Sequence, residues 1–127
     1  MKIIKKIKPF FIDERGEMSY LLNNKGSIKS TLLITSKKGS IRANHYHKKD
    51  AHYVYLLKGK MEYTYQNVKI KGSKKKTLRV EEGDMVYTPP MTMHAMEFLE
   101  DTVFIALTTE KRMKGAYEKD TMRIKLL

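Results

Sequence analysis

The chain has 127 residues, room for one domain and too few for two, and its 41% hydrophobic and 31% charged residues exclude wholesale disorder. It has no Cys, which excludes disulfides, thiolate metal sites, cysteine nucleophiles and iron–sulfur clusters. The formal charge of +12 leaves three readings open, namely nucleic acid, an anionic small molecule, or simply a lysine-rich surface.

Residues 1–10 are basic and broken by Lys5, Lys6, Lys8 and Pro9. They lack the continuous apolar stretch of an export signal, and no run approaches the roughly 18 apolar residues of a membrane span. The expectation is a cytoplasmic protein with no membrane contact. Asp13 to Gly16 read as a turn between two possible strands. Residues 28–36 (IKSTLLITS) are rich in β-branched side chains and predict a strand. Gly39-Ser40 punctuates, and a strand resumes over 41–47. Residues 52–58 (HYVYLLK) predict the next strand, and Gly59-Lys60 a hairpin turn into 61–66. Further strands are predicted over 78–80, 85–87, 94–98 and 103–108. The turns between them are marked by Glu81-Glu82-Gly83-Asp84 and Pro89-Pro90. The lysine run within 71–76 sits beside Gly72-Ser73, as a solvated loop would. The lysines are dispersed rather than set on one face, which argues against nucleic acid. Residues 111–127 read either as a short helix or as an arm adding a strand to a partner. Short, evenly spaced strands predict an all-β sandwich or small barrel, one domain over 1–127.

The four histidines are His45, His47, His52 and His94. On a strand, residues two apart share a face, so His45 and His47 can reach one centre. An antiparallel return after 48–51 would bring His52 beside them. His94 heads another strand after the proline pair. The whole stock of imidazoles thus falls where one ion could gather it. An all-nitrogen set points to a first-row divalent ion with open positions rather than to a closed structural site. Alternation places Val54 and Leu56 on the face of His52 and turns Tyr53 and Tyr55 away from it. Met85, Met91, Met93 and Met96 cluster near His94 and are expected to line or plug the interior.

At these residues the sequence resembles the cupins. Gly39, five residues, His45-Tyr46-His47, four residues, His52, six residues and Gly59 follow the spacing of the first cupin motif, with His52 where the family usually has Glu. Gly83, five residues, Pro89-Pro90-Met91, two residues and His94 follow the second, with Met91 for the usual Gly and Phe98 for the usual Asn. The motif core is 39–98. The resemblance implies a double-stranded β-helix, or jelly roll, with its ligand cavity inside the barrel. It also implies one divalent transition-metal ion (Zn, Ni, Mn, Fe or Cu) on His45, His47, His52 and His94, and a homodimer. The alternative is a barrel without metal that uses these groups as polar contacts or a general base.

A second resemblance lies upstream. Phe11 to Gly16 is similar to the F-x-D-x-R-G opening of cupins acting on nucleotide-linked deoxy sugars, such as dTDP-4-dehydrorhamnose 3,5-epimerase. Arg42 to His47 resembles the R-G-N-H-x-H segment of capsule-sugar reductase cupins, with Ala43 for Gly. This implies a sugar epimerase or isomerase acting in surface polysaccharide biosynthesis. His45 would be the catalytic base, and Arg15 and Arg42 would bind an anionic sugar nucleotide. The proton would be returned by one of Tyr53, Tyr55, Tyr63, Tyr65 or Tyr87. A metal-dependent dioxygenase or other oxidoreductase is the second reading, and a non-catalytic sugar- or effector-binding cupin the third.

Overall fold

The computed structural model describes residues 1–22 and 27–127. The strands are β1 (Lys2–Ile4), β2 (Phe11–Asp13), β3 (Gly16–Met18), β4 (Ser30–Ser36), β5 (Ile41–His47), β6 (His52–Lys58), β7 (Lys60–Asn67), β8 (Lys76–Glu81), β9 (Met85–Thr88), β10 (Thr92–Phe98) and β11 (Thr102–Thr108). Helix α1 (Lys114–Asp120) and strand β12 (Thr121–Arg123) follow. Two five-stranded sheets form, ordered β1-β9-β6-β11-β4 and β12-β5-β10-β7-β8, with β2 and β3 a separate hairpin. Every pairing is antiparallel, as the expected jelly roll requires.

The central strands of the two large sheets present their apolar alternate residues to the space between the sheets, where removal from water drives the packing. Val54 and Leu56 of β6, Met61 and Tyr63 of β7, Val80, Val86, Met96, Phe98, Phe104 and Ala106 form one core. Phe98 stacks on Phe104 with centroids 5.9 Å apart. Met85 and Met96 are buried as expected, while Met91 and Met93 are half-buried. Tyr53 lies on the opposite face of β6 from His52, beside Tyr87 at 4.8 Å.

The β6–β7 turn needs its glycine. Gly59 has φ +103°, and a Cβ there would lie 2.7 Å from the Asp101 carbonyl oxygen and from Thr102 Cα. Gly59→Ala is expected to cost about 2 kcal/mol or more and to lower the melting temperature by roughly 6–10 °C. Thermal melts followed by circular dichroism check this.

Two departures from the cupin motifs fall on left-handed backbone. Ala43 has φ 72° and Met91 has φ 61°. The family's glycines at these places answer a conformational demand that this chain meets under strain. Ala43 belongs to a bulge: His94 pairs with His45 and Ala95 with Ala43, which leaves Asn44 as the extra residue.

Residues 111–127 contain both a helix and a strand, and β12 pairs with β5 of its own chain. The paired strands expected around Asp13 to Gly16 are present as β2 and β3, outside both large sheets. No helix among the described residues is long and apolar enough to cross a membrane.

Candidate functional site

All four imidazoles converge. His45 on β5 stands opposite His94 on β10 in register, with ring centroids 4.8 Å apart. His45 and His47 lie 4.5 Å apart, His47 and His52 5.8 Å, and His52 and His94 4.9 Å. All four are buried, with 1–6% of their surface exposed. His52 reaches them by a different route from the one expected. Strands β5 and β6 are not ladder neighbours; they belong to opposite sheets. The 48–51 loop changes sheet, and His52 meets His47 across the interior.

The donor atoms form two overlapping sets. His45, His47 and His94 each offer a ligand atom within 4.8 Å of the others, as do His47, Asp50 and His52. His45 Nδ1, His47 Nε2 and His52 Nδ1 are buried without a hydrogen-bond partner. A buried polar atom left unsatisfied costs roughly 1–3 kcal/mol. Neutral imidazoles gathered in these sets, with unpartnered nitrogens on His45, His47 and His52, are donors suited to a divalent transition metal, so the residues present fit the ion that the cupin resemblance implies. His94 donates Nδ1–H to the Thr92 carbonyl at 2.9 Å, which leaves its Nε2 lone pair free. The Tyr63 ring stacks on His94 at 5.8 Å and 3°, and its hydroxyl bonds Thr88.

Around the imidazoles lie groups that the sequence reading missed. Asp50 is 2% exposed, and its Oδ1 accepts the backbone N–H groups of Thr109 and Glu110. Its Oδ2 accepts Arg112 Nη2 at 2.9 Å and sits 3.7 Å from His52 Nδ1, too far for a hydrogen bond. The Arg112 guanidinium lies over the Tyr117 ring at 4.8 Å, and that ring is 5.6 Å from His47 and 6.3 Å from His45. Arg112, Tyr117, Asp120 and Thr121 all come from the C-terminal segment. Only Asp50 carried a local signal, as a carboxylate two positions before a candidate ligand.

The two arginines singled out by sequence lie elsewhere. Arg15, on the β2–β3 hairpin, has a side chain 76% exposed and ion-paired to Asp13 at 2.6 Å. Arg42 turns its guanidinium to Ser36 Oγ and the Thr35 carbonyl. It lines a cleft of about 650 Å³ with Lys37, Lys58 and Asp101, to which no histidine contributes.

Burial sets the protonation states. It pushes His45 down to about 3, with the nearby His47 and His52 adding to the effect. It pushes His47 down to about 4, and His52 and His94 are lowered by the same cause. Burial alone would raise Asp50, but His52, Arg112 and the Glu110 N–H outweigh it and bring the carboxyl to about 2. Each imidazole is therefore neutral in the fold, whereas the unfolded value is about 6.5. The folded values being the lower ones, this contribution to stability is complete above about pH 6.5. It is lost as pH falls from there toward the folded values, at up to about 1.4 kcal/mol per pH unit per imidazole. Asp50 adds loss in the same direction below about pH 4. Melting temperatures measured at a series of pH values are expected to fall steeply from pH 6.5 to 4. A flat profile would mean that the rings are not buried as neutral groups.

Residues 32–110, more than half of the chain, match the model of the cupin domain family. No curated protein matches the sequence. Among solved structures, the QdtA sugar 3,4-ketoisomerase of Thermoanaerobacterium thermosaccharolyticum in complex with TDP is 21% identical, with a TM-score of 0.73 over 96% of this chain and 86% of that one. The dTDP-4-dehydrorhamnose 3,5-epimerase of Sulfolobus tokodaii is 21% identical, TM-score 0.73, over 91% and 73%. The capsular polysaccharide assembling protein CapF of Staphylococcus aureus is 20% identical, TM-score 0.69, over 91% of this chain and 32% of that one.

Proposed function

The chain belongs to the cupin domain family, and from that premise we propose that it is an epimerase or isomerase of a nucleotide-linked keto-sugar, in surface polysaccharide biosynthesis. The observation that carries the reading is the convergence of four buried, neutral imidazoles with three unpartnered nitrogens. The similar ketoisomerase and epimerase folds support it.

In this reading His45 takes the proton from the carbon beside the ketone. Its Nδ1 is buried and unpartnered, and its lowered pKa keeps the lone pair free at neutral pH. Such a base is weak until negative charge approaches; the substrate's diphosphate and the forming enolate raise it. Return of the proton to the other face gives an epimer, and return to the neighbouring carbon gives a ketone isomer. A neutral imidazole has one lone pair, so His45 is either this base or, with His47, His52 and His94, a ligand of one divalent ion that would supply Lewis-acid polarisation of a carbonyl. Arg42, in a cleft shared with Lys37 and Lys58, and Arg15 are the proposed attractors of the diphosphate, with Arg112 the guanidinium beside the imidazoles. Homodimer formation is part of the proposal, supported by the exposed Phe10, Phe11, Ile12, Met18 and Tyr20 near the N-terminal hairpin. The cytoplasm is the compartment this reading assigns.

The test is incubation with 4-keto-sugar nucleotides in deuterated water. Enzyme-dependent deuterium at the carbon beside the ketone is expected. No incorporation across a panel of such substrates contradicts the proposal.

A further inference from the structure

Hydrogen accounting at the junction of α1 and β12 fixes more than packing does. Thr121 Oγ1 lies 2.6 Å from the Tyr117 carbonyl oxygen and 3.3 Å from His47 Nδ1. A carbonyl oxygen only accepts, so the single hydroxyl hydrogen of Thr121 is committed to Tyr117. Turning that hydrogen toward His47 would leave two bare oxygens 2.6 Å apart. The contact with His47 must then run the other way, with Nδ1–H donating to the Thr121 oxygen. The Asp120 carboxylate, 4.0 Å from the same nitrogen, favours a hydrogen there too. With Nδ1 protonated, the lone pair of His47 is on Nε2, the atom that is buried without a partner.

We infer that Thr121, on the C-terminal strand, is a positioning residue that sets the tautomer of His47 and so aims the Nε2 lone pair into the cluster. Register supports the role: Thr121 is the direct ladder partner of His47 in the β12–β5 pairing. The metal consequence rests on the proposal that the histidines hold an ion, while the tautomer itself does not.

The experiment uses the full chain labelled with ¹⁵N-histidine, free of metal, at pH 7.5. Long-range ¹H–¹⁵N spectra read the tautomer of His47, and zinc titration reads affinity. The wild type is expected to show His47 protonated at Nδ1. Thr121→Val keeps the shape and removes the acceptor. It is expected to move His47 toward the Nε2–H form and to weaken zinc binding about 10- to 100-fold. Thr121→Ser restores the acceptor and is expected to restore both. A merely structural role would lower the melting temperature of Thr121→Val without moving the tautomer. The inference is overturned if wild-type His47 carries its hydrogen on Nε2, if Thr121→Val leaves the tautomer in place, or if the tautomer moves and zinc affinity does not. Should the wild type take up no zinc, the metal proposal fails, and the spectra alone still decide the role of Thr121.

Discussion

Replacing His45 and His94 together by alanine is expected to strip the protein of stoichiometric divalent metal. A protein zinc site with four donors binds with about 10–16 kcal/mol of apparent free energy, and removing two donors forfeits roughly half of it. That is a loss of about ten-thousandfold or more in affinity. The effect is large because the two rings, which face each other in register across β5 and β10, are two of the three donors of the His45–His47–His94 set, and what remains is the set of His47, Asp50 and His52. Asp50, the nearest spare carboxylate, is held by the Thr109 and Glu110 N–H groups and by Arg112. Metal analysis of purified protein, with circular dichroism to show that the variant folds, checks the expectation. A double variant that retains one ion per chain would remove these residues from the site.

The second large effect concerns proton transfer. A positioned general base contributes about 10²- to 10⁴-fold to rate, so His45→Ala should lower solvent deuterium exchange into a keto-sugar nucleotide by that range. The same variant separates the two roles proposed for His45. If metal stays bound while exchange disappears, the imidazole acts as the base; if metal leaves with exchange, it acts as a ligand. Unchanged exchange would exclude His45 as the base.

What the sequence could show followed from periodicity. In β5 and β6, alternation placed His45 and His47 on one face and Val54 and Leu56 with His52, and all five are buried. The glycine at position 59 was legible as a turn because few other residues accept its backbone. The change of sheet between His47 and His52 was not legible, since a four-residue loop can close a hairpin or cross between sheets. Arg112, Tyr117, Asp120 and Thr121 escaped notice for a related reason. Thr121 reaches the histidines through β12 pairing on β5 and Arg112 through Asp50, across 74 and 62 positions of sequence, and such contacts leave no local pattern. Arg15 and Arg42 stand at motif positions. A motif specifies which residue stands at a position, while the exposed Asp13 pair and the Ser36 contact decide where the guanidinium goes.

Anomalous diffraction from crystals grown with a divalent transition metal tests the account most directly. The account predicts one strong peak within the cluster, at roughly 2.0–2.2 Å from imidazole nitrogens of His45, His47, His52 and His94. A metal-replete crystal with no peak among these four rings, or with its ion bound only elsewhere, would contradict it.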